Sequence, residues 1–114
     1  MRIQALHDEL RPSDTAARPA FYRSAAVNRA LDDGIADAAA ARPDAVKVVY
    51  LRHWLAYMLR LAGRDAEAIE QYRLLGGYCG AEPWDRFEAP AAKFDEMRTQ
   101  AVLAWERAGR PVRQ

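Results

Sequence analysis

The chain has 114 residues and carries 17 Lys and Arg against 16 Asp and Glu, a formal net charge of +1. That length suits one domain, residues 1–114, large enough to fold around its own core without disulfide or metal staples. With 51% hydrophobic and 29% charged residues, the composition excludes a disordered chain, and the balanced charge supplies no general field for phosphate backbones, which argues against nucleic acid as a partner.

Cys79 is the only cysteine, so an internal disulfide is excluded and a reducing compartment is expected. The opening stretch MRIQALHDEL has charges where a signal peptide needs an apolar centre. No apolar run approaches the roughly 20 residues that a bilayer requires. A cytoplasmic protein with no membrane contact is the expectation. The Arg-rich end (Arg107, Arg110, Arg113) reads as a solvated terminus.

In chain order, a short amphipathic segment over residues 3–10 precedes a loop at RPSDTAARP. From about residue 20 to 41, Val27, Leu31, Ile35 and Ala38 recur at helical spacing and predict one buried stripe. Gly34 either weakens that helix by about 1 kcal/mol relative to alanine or lets a neighbour approach closely. Pro43 ends it, and Asp44 is placed to cap the next helix, which runs to about Ala62. There Val48, Leu51, Leu55, Leu59 and Ala62 form one face, widened by Trp54, Met58 and Leu61. A helix apolar over so much of its circumference is expected to be central and packed on two sides. Gly63 breaks it, Asp65 offers the next cap, and Ala68, Ile69, Tyr72 and Leu75 give the following helix its inward face. GGYCGAEPW then interrupts the pattern, and a last helix over about residues 91–108 carries Phe94, Met97, Ala101, Ala104, Trp105 and Ala108, before Gly109 and Pro111 stop it. The fold class is all-α: antiparallel helical hairpins, arranged as a short repeat array or a small helical bundle.

Residues 50–75 resemble a tetratricopeptide repeat, a helix-turn-helix unit of roughly 34 residues. Leu55 and Ala56 match the leucine and small residue of its first helix, Gly63 its turn, Ala68 the small alanine of the second helix and Tyr72 the following aromatic. Three positions depart from the pattern. Arg52 stands in place of the early tryptophan, Leu75 in place of a small residue, and the closing proline is absent unless Pro83 serves. The stretch from Leu31 to Pro43 resembles the second helix of a preceding, degenerate unit. Repeat units stack in threes or more, so a chain with about one and a half units is expected to self-associate or to complete another protein's array.

The resemblance implies a concave binding face on the first helix of the hairpin, which holds Tyr50, His53, Tyr57 and Arg60. Spacings of three, four and three put two phenols, an imidazole and a guanidinium on one side. Tyrosine and arginine are favoured contact residues because they join buried area to a polar handle. A second candidate is the loop GYCGAEPWDRFEAP, where Tyr78, Trp84 and Phe87 either serve a partner or fold back to seal the core.

Catalytic signatures are sparse. His7 and His53 lie far apart and Cys79 has no second thiol nearby, so no metal set is expected and no cofactor is implied. Cys79 and His53 form a nucleophile–base pair only if the fold brings them together. GGYCG lacks the lysine and hydroxyl pair of a phosphate loop, and the carboxylates read as solvated faces. The leading expectation is a non-enzymatic module that binds a peptide segment or partner subunit. The alternatives are a small-molecule or enzymatic pocket lined by Tyr50, Trp54, Tyr57 and Trp84, and DNA binding through the helix AEAIEQYRLL.

Overall fold

Apolar spacing of three and four becomes helix throughout the computed structural model, which describes residues 3–4, 7–8, 17–42 and 45–111. The helices are α1 (Arg18–Arg23), α2 (Ala25–Ala40), α3 (Val46–Leu61), α4 (Asp65–Leu75) and α5 (Pro90–Arg107), with a 3-10 turn at Trp84–Arg86. No strand occurs among the described residues, so the all-α expectation holds. The expected caps and stops at Pro43 and Asp44, most of the RPSDTAARP loop and Arg113 lie outside the described residues.

The helix expected over residues 20–41 is two helices. Ser24 has an extended backbone (ψ 151°), and its hydroxyl accepts the Val27 N–H at 3.3 Å, capping α2. A serine side chain competes with the helical ladder for backbone donors, and apolar periodicity does not register that competition. Beyond the break, Val27, Leu31, Gly34 and Ala38 bury one face of α2. A Cβ built on Gly34 would stand 3.0 Å from Leu55 Cδ2, so the glycine sets how closely α2 approaches α3.

All seven residues from His53 to Leu59 are buried, which makes α3 the central helix. It turns into α4 through Gly63, whose φ of +76° is the left-handed conformation glycine supplies at low cost. Asp65 is not the cap expected of it. Arg64 occupies that position, and Asp65 begins α4 with its buried carboxylate accepting Arg60 Nη1 at 3.1 Å. Burial nonetheless pushes the Asp65 carboxyl above its ordinary range, against the pull of Arg60.

Two arginines fasten the layers. Arg64 donates to the Asn28 carbonyl and side chain on α2 and to Glu67 on its own helix. Arg52 joins α3 to Gln71 of α4 at 2.9 Å and to the Ala38 carbonyl of α2 at 3.3 Å. On the other side, α5 presents Phe94, Met97 and Ala101 to the same core.

Candidate functional site

The chain between α4 and α5 leaves the hairpin at Gly76, another left-handed position (φ +78°), and folds back over α3. Its Trp84 is fully buried. The indole packs edge-on against Tyr57 (centroids 5.5 Å apart) and Phe94 (5.2 Å), while its Nε1 donates to His53 Nδ1 at 3.0 Å. Phe87 adds a further ring 5.9 Å from Tyr57, and His7 of the N-terminal segment lies 6.0 Å from it on another side.

That cover changes the expected binding face. His53 is 0% exposed and Tyr57 7%, so they are interior residues. Arg60 keeps a quarter of its side chain in solvent and is held by Asp65. Only Tyr50, 47% exposed, stands open. The four residues do share one side of α3, but the chain's own Trp84 lies over the middle of it. The physical reason is an apolar one: packing Trp84 and Phe87 of the 76–89 segment against Tyr57 removes the apolar surface of these rings from water. The loop aromatics likewise do not form an exposed cluster. Trp84 is in the core, and Tyr78 and Phe87 are half-buried against it.

Cys79 and His53, 26 positions apart, are brought together: His53 Nε2 lies 3.1 Å from Cys79 Sγ. Indole N–H can only donate, so His53 Nδ1 is an acceptor and the neutral ring carries its proton on Nε2, directed at the sulfur. Burial pushes His53 down to about 4, against the opposing pull of Asp85. A ring in this tautomer offers the thiol no lone pair with which to take its proton. The pair has the separation of a nucleophile and base but not their wiring.

Tyr50 and Trp54 open instead onto a cleft of about 270 Å³ between the first half of α3, the 80–85 stretch and the N-terminal segment. Glu82 and Asp85 line it from the loop side and Gln4 from the N-terminal side. Gln4 Nε2 donates to Glu82 at 3.0 Å, and Asp85 accepts the Tyr78 hydroxyl. Arg86 sits beside this cleft, its guanidinium 5.0 Å over the Trp54 ring, paired with Asp8 at 2.6 Å and Glu82 at 3.4 Å. Arg86 in turn holds the Asp8 carboxyl below its ordinary range. Of the pocket residues expected from sequence, Tyr50 and Trp54 line this cleft, but Trp54, like Tyr57 and Trp84, is a core residue and only Tyr50 is exposed. The carboxylates Glu82 and Asp85 escaped sequence reasoning. They stand beside Trp84 in the same loop, and exposed loop carboxylates carry no spacing that marks them as lining a cleft.

The helix considered for DNA reading is engaged in packing. Gln71 and Tyr72 are buried, and the exposed Arg73 is paired with Glu70. Among the described residues, no group of three or more His, Cys, Asp and Glu side chains is arranged to hold a metal ion, and no helix is long and apolar enough to cross a membrane. No protein-family model, curated protein or solved structure matches the chain.

Proposed function

We propose that the chain is a non-enzymatic protein–protein interaction module, an adaptor or accessory subunit of the cytoplasm. It takes a segment of a partner protein across the first half of α3 and the adjoining cleft. One observation carries this reading. Tyr50, with Val46 one turn earlier at 64% exposed, presents an apolar strip on the part of α3 that the chain leaves uncovered. Exposed tyrosines at the lip of a cleft are favoured anchors, because the ring supplies contact area at small entropic cost and the hydroxyl retains a hydrogen bond.

The tetratricopeptide-like ancestry belongs to this proposal. In it, α3 and α4 are the two helices of the best-preserved unit, and Trp84 takes the place a ligand would occupy further along the face. Partner contact is thereby moved to the end of α3 that carries Tyr50. The tautomer of His53 supports the non-enzymatic part, since it withholds the base that a cysteine nucleophile needs.

Photochemical crosslinking in the native host tests the reading. A benzophenone side chain at position 50 is expected to yield a discrete adduct with one second polypeptide. The same group at Ala36, solvent-facing on α2, is expected to yield none. An adduct of twice the chain's mass would identify the partner as a second copy. Equal, diffuse labelling from both positions would overturn the proposal.

A further inference from the structure

We infer that the cleft beside Tyr50 receives a basic side chain, arginine or lysine, from the partner segment, a reading that rests on the interaction role proposed above. Three independent observations converge on that chemistry.

The first is charge. Glu82 and Asp85 line the cleft, and among the described residues no basic side chain does. Glu82 is already shared with Arg86 at 3.4 Å. Asp85 has no ion pair among the described residues and accepts only the Tyr78 hydroxyl. Across the wider rim, among the described residues, Asp8, Glu82 and Asp85 stand beside Arg86, with Lys47 exposed one turn before Tyr50. The two carboxylates at the cleft itself favour a cation there over a phosphate or an acidic side chain.

The second is the kind of wall. Tyr50, 47% exposed, brings an aromatic ring to the same space, with the buried Trp54 behind it, and an aromatic face beside a carboxylate is the surroundings a guanidinium or ammonium prefers. The chain supplies its own example at this spot: Arg86 rests over Trp54 while pairing with Asp8 and Glu82. A second cation in the cleft would meet the Tyr50 ring in the place of Trp54, with Asp85 as its anion.

The third is size. At about 270 Å³, the cleft falls just below the roughly 300–1,000 Å³ usual for small-molecule and cofactor sites. It suits one side chain better than a whole cofactor. Val46, exposed on the turn before Tyr50, extends an apolar surface on which the rest of a peptide can lie.

The test is an NMR titration of the full chain with N-acetyl-arginine methylamide, N-acetyl-lysine methylamide and, as the neutral isostere, N-acetyl-citrulline methylamide. The arginine and lysine compounds are expected to shift the amides of Tyr50, Gly80 and Asp85 progressively, with citrulline at least several-fold weaker. Asp85→Asn is expected to weaken arginine binding roughly fivefold, and Glu82→Gln to weaken it as well, with both variants retaining the wild-type spectrum elsewhere. Citrulline binding as tightly as arginine would overturn the inference, as would shifts scattered away from the cleft or none at all. A specific adduct at position 50 without selectivity for the cation would leave the interaction role standing and remove only the basic side chain. Selective arginine binding with no adduct at position 50 would do the reverse.

Discussion

His53 is the residue on which local chemistry and fold depend together. Its Nδ1 accepts the Trp84 indole and its Nε2 faces Cys79, an arrangement that only the neutral ring can keep. Folding lowers its pKa to about 4 from the ordinary 6.5, so the unfolded chain binds the proton more tightly. The stability this group contributes is therefore complete above pH 6.5 and is lost as pH falls from there through 4, by about 3 kcal/mol in all. Urea unfolding at a series of pH values should show that loss in the wild type. His53→Gln, whose side chain can still accept from Trp84, should show a flatter profile over the same range. Tyr72 makes the opposite case. Its hydroxyl is buried with no hydrogen-bond partner among the described residues, and burial raises its pKa. Removing an unsatisfied buried hydroxyl recovers part of its desolvation cost, so Tyr72→Phe should raise stability by about 1 kcal/mol, read from the urea midpoint.

At the level of helices, the close packing of α2 on α3 depends on Gly34. The atom nearest its missing Cβ is the end of the Leu55 side chain, at 3.0 Å. Alanine there gains helix propensity and displaces only that flexible end, so Gly34→Ala should stay within about 1 kcal/mol of wild type. Valine forces the helices apart, and Gly34→Val should cost about 1–3 kcal/mol in thermal or urea unfolding. The sequence foretold this position as a weak point or a close approach, and the structure makes it the latter. It also foretold α3, α4 and α5 to within a residue or two, because Gly63, the glycines after Leu75 and the Gly109–Pro111 stop punctuate strong periodicity. The break at Ser24 was not legible, since the apolar spacing of α2 gives no sign of a hydroxyl turning back on the backbone. Nor was the fate of the Tyr50–Arg60 face. Which side of an amphipathic helix stays open depends on what distant chain lies over it, and here the cover is Trp84, 31 positions from the His53 it bonds. The Cys79–His53 approach belongs to the same class of long-range fact.

Over the whole molecule, Trp84 closes the core that α3, α4 and α5 build, touching Tyr57, Tyr72, Phe94 and His53. Its truncation removes a fully buried indole and leaves the His53 acceptor without its donor. Trp84→Ala should cost about 3–5 kcal/mol, a large part of the roughly 5–15 kcal/mol that holds a domain folded. Loss of near-ultraviolet dichroism before loss of helix signal would report it. With that keystone in place, α3 divides into a covered half around Tyr57 and an open half at Tyr50, and the proposed function follows from the division. The most direct test is to place the same benzophenone at positions 50 and 60 of the full chain and photolyse both in the native host. A partner adduct is expected from position 50 and none from position 60. An adduct from position 60 alone would show that the covered half is the working surface, and would contradict it.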